Sequence, residues 1–132
     1  MKYLLSAIAI LSIITISSCR KEVQISNQEI FGDWHWEVSR SSGGFTMLSN
    51  DTSKIYNIYF KQDFTFTNTS FCIIGGPTDG TFEIKSFGTA TKLILKSPYG
   101  TRDSFNIKLS NNRLIITETY NDYHWYHEFN KK

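Results

Sequence analysis

From Ile30 to Phe129 the chain is a succession of short runs in which large apolar side chains occupy every second position, each run ending in turn-forming residues. Side chains of an extended strand point alternately to its two faces, so this period demands strands with one buried and one wet face and excludes a sustained amphipathic helix. The residue types agree. Phe, Tyr, Ile and Thr abound, Ala90 is the only alanine after position 30, and the prolines stand only at 77 and 98.

The runs can be read individually. The first sets Trp34, Trp36 and Val38 against His35, Glu37 and Ser39. The second sets Tyr56, Ile58 and Phe60 against Asn57 and Lys61, and the third sets Phe64 and Phe66 against Thr65 and Thr67. After an ambiguous segment around Phe71 to Ile74, a fourth carries Phe82 and Ile84 against Glu83 and Lys85. Leu93 and Leu95 mark a fifth, opposite Lys92, Ile94 and Lys96; Phe105, Ile107 and Leu109 mark a sixth, opposite Asn106 and Lys108. Leu114 and Ile116 mark a seventh, while Trp125, His127 and Phe129 mark an eighth against His124, Glu128 and Asn130. Between them lie Gln62-Asp63, Gly75-Gly76-Pro77 through Asp79-Gly80, Pro98-Tyr99-Gly100, Asn111-Asn112 and Asn121-Asp122. Such short turns imply sequential antiparallel pairing. The expected fold is all-β, an eight-stranded antiparallel up-and-down barrel, because closure leaves no exposed edge. A two-sheet sandwich is the alternative, although it usually needs long crossing connections and only Ser41 to Ser53 is long.

The start of the chain follows another rule. Met1 and Lys2 precede an apolar stretch, Tyr3 to Ile16, interrupted by Ser6, Ser12 and Thr15 and too short for a stable membrane span. It ends in Ile16-Ser17-Ser18-Cys19, which resembles the lipobox of bacterial lipoproteins: a branched apolar residue, two small residues and the cysteine that takes diacylglycerol. The resemblance implies a signal peptide over 1–18 that is removed, a lipidation site at Cys19, a flexible tether over 19–29 and a folded domain over 30–132. Two or three acyl chains of the palmitate kind hold a protein durably where one does not. In Gram-negative lipoproteins an Asp after the cysteine tends to mean inner-membrane retention; Arg20 stands here, so the outer membrane is expected, on its periplasmic or cell-surface face. Arg20-Lys21-Glu22 is similar to the start of many Bacteroidetes-type lipoproteins.

Several function classes are excluded. A net charge of +2 over 132 residues is too balanced for a nucleic-acid surface. Cys72 is the only other cysteine, so no internal disulfide forms with Cys19 lipidated, and within Phe71-Cys72-Ile73-Ile74 it reads as a small buried side chain. No G-x-S-x-G, glycine-rich phosphate loop or pair of carboxylates facing one pocket occurs, so neither an enzyme nor a cofactor is expected. His35 and His124 would lie on neighbouring strands of a closed barrel, with Glu37 or Glu128 as a third ligand. Both histidines face outward, and no metal site is expected.

Gly32-Asp33-Trp34 at the first strand gives a G-x-W that looks like the lipocalin signature, carried by Gly32 and Trp34. Ser42-Gly43-Gly44, Phe60-Lys61-Gln62-Asp63-Phe64 and Gly80-Thr81-Phe82 add to it. Together these resemble the short lipocalin-like domains of bacterial lipoproteins over about Ile30 to Phe129. What the resemblance implies is a barrel that binds a small apolar molecule. Full-length lipocalins also carry a helix beside the barrel, and their first-strand Trp commonly packs against a basic residue of the last strand. Here the last strand ends in Lys131 and Lys132, with no Arg.

The inward set nominates Trp36, Tyr56, Phe66, Phe82, Phe105, Trp125 and His127 as lumen residues, with His127 the one ionisable group among them. Phe45 and Leu48, in the connection with glycines at 43 and 44, are candidates for a lid over the open end. Two readings stay open. In the first, a membrane-anchored barrel takes a small hydrophobic ligand such as a lipid or fatty acid. In the second, the rings fill the barrel, which acts by its outside as a structural or accessory subunit, or an inhibitor, in the cell envelope.

Overall fold

Alternation along the chain becomes alternation across a single closed sheet. The computed structural model describes residues 25–49, 56–69 and 76–132. One helical turn, α1 (Asn27–Ile30), leads into β1 (Gly32–Ser41), β2 (Thr46–Leu48), β3 (Asn57–Phe60), β4 (Thr65–Asn68), β5 (Asp79–Phe87), β6 (Ala90–Lys96), β7 (Arg102–Ser110), β8 (Arg113–Tyr120) and β9 (Tyr123–Lys131). From β3 to β9 each strand pairs antiparallel with the next, and β1 pairs with both β3 and β9, so eight strands close an up-and-down barrel. The short β2 adds to the far half of β1, beyond the end of β3. Asn121 and Asp122, both at positive φ (47° and 65°), form the two-residue β8–β9 turn whose twist suits an antiparallel pair.

Antiparallel order places α1 and the β3–β4, β5–β6 and β7–β8 turns at one end. The described residues that leave β2 and β4 and enter β3 and β5 lie with the β6–β7 and β8–β9 turns at the other, the mouth. Inside the α1 end, Ile30, Trp34, Phe60, Phe66, Leu114 and Phe129 are at most 1% exposed. Phe82 meets Phe60 edge-on with centroids 4.8 Å apart, an arrangement that brings a positive ring edge to a negative face.

The α1 turn plugs this end through backbone chemistry. Ser26 N–H donates to the Glu29 carboxylate at 3.0 Å, starting the turn. Trp34 Nε1–H then donates to the Ile30 carbonyl at 2.7 Å, and Lys131 Nζ donates to the Glu29 carbonyl at 3.1 Å. The Lys131 ammonium lies 5.3 Å from the Trp34 ring centroid, where the ring's negative face attracts it. Gly32, at φ +127°, is where the Lys131 stem crosses: a Cβ there would lie 2.9 Å from Lys131 Cε.

Four expectations change. The tether does not extend to Glu29, because Ile25 already packs against the core and Ile30 is wholly buried. Phe64 is a turn residue at φ +63°, half exposed, and β4 begins only at Thr65. β1 is not one regular strand: Trp36 stands opposite Phe129 and Val38 opposite Glu128, leaving Glu37 as an extra residue in a β-bulge. A one-residue slip exchanges faces, so beyond the bulge Ser39 and Ser41 point inward and Val38 points outward. Finally, the last strand does set a basic group against Trp34 without an Arg, through the Lys131 ammonium. Cys19, Ile55, Cys72 and the segment Phe71 to Ile74 lie outside the described residues.

Candidate functional site

The bulge gathers polar atoms inside the mouth half of the barrel. Residues paired across strands share a face, and Ser39 pairs with His127, His127 with Ile116, and Glu118 with Trp125. Trp36 Nε1–H donates to Ser39 Oγ at 2.8 Å, and Ser39 Oγ lies 2.7 Å from His127 Nδ1. Across the ring, His127 Nε2 is 3.5 Å from Glu118 Oε2, too long for a good hydrogen bond. Nε2 is buried and has no hydrogen-bond partner among the described residues. Trp125 lies nearly parallel to the imidazole, at 7° with centroids 6.3 Å apart, and Trp36 meets Tyr56 edge-on at 5.7 Å.

Proton positions follow from the donors. An indole N–H can only donate, so Ser39 Oγ accepts from Trp36. The serine proton then has one acceptor among the described residues, His127 Nδ1. In the neutral imidazole this leaves the proton on Nε2, which faces the Glu118 carboxylate without closing on it. A row of serine, histidine and acid invites comparison with a nucleophilic relay. Ser39 is 0% exposed and its oxygen is engaged by Trp36, so no substrate reaches it. What the row offers is a buried donor beside a carboxylate.

Of the nominated lumen residues, Trp36, Phe66, Phe82, Phe105 and His127 are buried, and Tyr56 and Trp125 are partly so. Phe66 and Phe82 pack toward the α1 end, while Trp36, Tyr56, Trp125 and His127 surround the polar row. The lid candidates separate. Phe45 and Leu48 are 66% and 57% exposed, and Leu48 pairs with the outward Val38. Met47, which pairs with the inward Ser39, is on the lumen side of the hairpin instead. Gly32 and Trp34 sit at the opposite end, beside α1.

Ser39 and Glu118 were not nominated. Nothing in the alternation of β1 signals the bulge that turns Ser39 inward. Glu118 was legible, since it continues the inward series Leu114, Ile116 two residues on. His35 and His124 do not meet: His35 pairs with Asn130 and bonds Asp33 at 3.1 Å, whereas His124, at the mouth, lies 3.0 Å from Thr119 Oγ1. Among the described residues no three His, Cys, Asp or Glu side chains come together as metal ligands.

Open grooves elsewhere involve other residues. One of about 600 Å³ lies where β6 leaves β7 near Ile25, and one of about 500 Å³ runs over Thr65, Thr81 and Lys96 with Phe66 at its base. Of the apolar residues expected outside, Ile94 is buried, and Tyr59 and Ile115 stand on β3 and β8, which are not neighbours, so they form no continuous exposed patch. Comparison with protein-family models, curated proteins and solved structures finds no match to this chain.

Proposed function

We propose that the protein is a lipid-anchored binding protein of the bacterial cell envelope, lipocalin-like in form, whose barrel takes one small hydrophobic molecule through the mouth. One observation carries this reading. At the mouth, the inward positions Tyr56, Glu118 and Trp125 remain partly exposed, whereas Trp34, Phe60 and Phe129 at the α1 end are at most 1% exposed. An inward side chain that solvent still reaches is accessible from the mouth, and these positions combine aromatic rings with a few polar atoms, the usual make-up of a small-molecule site. The Trp34–Lys131 contact supports the lipocalin-like assignment, since a first-strand Trp against a basic residue of the last strand is what the resemblance leads one to expect.

Cys19 stands six residues before Ile25, so an acyl anchor there would hold the α1 end within about 20 Å of the lipid and leave the mouth facing away from it. A binding role is proposed in place of a catalytic one because the only hydroxyl in the polar row is sealed. The alternative, a protein partner, is favoured by Phe45, Leu48, Tyr99 and Tyr120, all strongly exposed around the mouth.

The test is titration of the acyl-free protein, beginning at Arg20, with the apolar fluorophore N-phenyl-1-naphthylamine. Saturable one-to-one binding accompanied by a change in tryptophan emission is expected. Unsaturable or absent binding overturns the reading and leaves the partner alternative. The anchor is tested separately: Cys19→Ala should move the protein out of the membrane fraction, and retention there would sink lipidation.

A further inference from the structure

The outer face of β5–β8 gathers positive charge toward the α1 end. Lys85 stands directly opposite Lys92, Lys92 opposite Asn106, Lys108 opposite Ile115 and Arg113 opposite Ser110. All four cations alternate with inward side chains, so they share the outward face and step diagonally across four successive strands. Lys85 shares Glu83 with Lys96, and Arg113 shares Glu128 with Arg40. Lys92 and Lys108 enter no ion pair among the described residues. Like charges set side by side repel, a cost that an anionic surface relieves.

The same region carries apolar surface. Phe87, 55% exposed, stands beside the β5–β6 turn with the Lys92 ammonium 5.9 Å from its ring centroid. β6 pairs with β7 only as far as Thr91 and Ile107, whereas β5–β6 runs on to Phe87 and Ala90 and β7–β8 to Ser110 and Arg113. The two hairpins therefore part, and the groove of about 600 Å³ opens there, with Ile25, Ala90, Ile107, Leu109 and Lys108 among its walls. Ile25 is also the residue from which the chain runs back six positions to Cys19.

Apolar surface beside a cluster of cations is what holds a protein at the interface of an anionic bilayer, because the apolar part enters the head-group region while the cations meet phosphate. We infer that the β5–β6 hairpin tip and the row Lys85, Lys92, Lys108 and Arg113 dock on an anionic phospholipid bilayer, with Phe87 among the head groups and the groove open to the acyl boundary. This rests on the anchored reading above for the side from which the membrane approaches, since Cys19 would bring the bilayer to the α1 end, and it is independent of what the lumen holds. The mouth has exposed rings too, but there Lys96 and Arg102 stand among Asp79, Asp103, Glu118 and Asp122, and the chain to Cys19 leaves from the opposite end. Docking limits the directions a tethered barrel can take and keeps the mouth turned away from that bilayer.

The acyl-free protein beginning at Arg20, whose core lies wholly between Ile25 and Phe129, is floated with vesicles of phosphatidylcholine alone or with about 30 mol% phosphatidylglycerol, at about 50 mM and about 500 mM NaCl. Flotation is expected only with phosphatidylglycerol and only at the lower salt. Lys108→Glu should lower the partition coefficient about tenfold and Phe87→Ala several-fold. Arg102→Glu, on the same strand and the same outward face but at the mouth end, makes the same change in net charge and should leave partition within about twofold. Equal binding to the two kinds of vesicle, binding that survives the higher salt, or an Arg102→Glu loss as large as that of Lys108→Glu overturns the inference. Flotation with neither vesicle overturns it as well and gives this face to a protein partner or a second copy. The anchored reading stands in each case, because a wash at the higher salt releases a docked protein from the membrane fraction but not a lipidated one, which keeps the Cys19→Ala test separate.

Discussion

Ser39 and His127, 88 residues apart in the chain, meet inside the barrel with Oγ 2.7 Å from Nδ1. Their contact exists because Glu37 is squeezed out of register between β1 and β9, which turns a serine that alternation places outside onto the inner face. A polar row in an apolar lumen stabilises only if each member is partnered, and it defines a unique arrangement when it is.

Ser39→Ala should therefore destabilise more than the loss of one hydroxyl suggests. It leaves both Trp36 Nε1–H and His127 Nδ1 unpaired where no water reaches. A loss of about 1–3 kcal/mol is expected, measured by urea unfolding followed through tryptophan emission. An unchanged midpoint would mean that the row is not coupled to folding.

Lys131 is expected to act through its charge as well as its stem. Lys131→Met keeps the methylenes over Trp34 and Gly32 but removes the ammonium from the indole face and from the Glu29 carbonyl. About 1–2 kcal/mol should be lost, with Lys131→Arg recovering most of it in thermal denaturation. Equal stability of the Met and Lys forms would show that the stem alone matters.

Gly80 should tolerate no side chain. At φ +143° its added Cβ would lie 1.9 Å from the Lys96 carbonyl oxygen, a backbone atom that cannot turn aside. Gly80→Ala should cost upwards of about 3 kcal/mol or prevent folding, whereas Gly88→Ala, at φ +59° with nothing near, should cost about 1 kcal/mol. Comparing the two melting temperatures separates contact from backbone preference.

Acid should weaken the β5–β6 face in a defined window. Glu83 accepts from Lys85 at 3.0 Å and from Lys96 at 3.1 Å, and these bonds hold its carboxyl below the ordinary value of 4.5. A carboxyl whose folded value is lowered contributes stability that is present above the unfolded value and lost as pH falls through the folded one. Melting curves of the protein and of Glu83→Gln should differ at neutral pH and converge as the pH falls below 4.5 through the lowered value. A constant gap across that range would contradict this account.

Much of the barrel was legible residue by residue. Phe105 and Ile107 alternate with polar neighbours, Leu93, Leu95, Leu114 and Ile116 keep the same period of two around Ile94 and Ile115, and all six proved buried. Asn121-Asp122 announced a tight turn and formed one. The candidate site was legible in part. His127 was placed inside correctly, yet its meaning depends on Ser39 and Glu118, one hidden by a bulge and the other passed over at the end of its run. Phe45 and Leu48 looked alike as lid residues, but paired residues share a face, and Leu48 pairs outward with Val38 while Met47 pairs inward with Ser39.

The order of the eight barrel strands, most of their inner faces and the barrel class were thus determined by the sequence alone, because a period of two and short turns are local properties that each segment carries by itself. Which atoms meet in the lumen was decided only in the tertiary structure. A register shift such as the one at Glu37 arises from fitting β1 to β9 around a closed ring, and closure is a condition on the whole sheet that no single strand records.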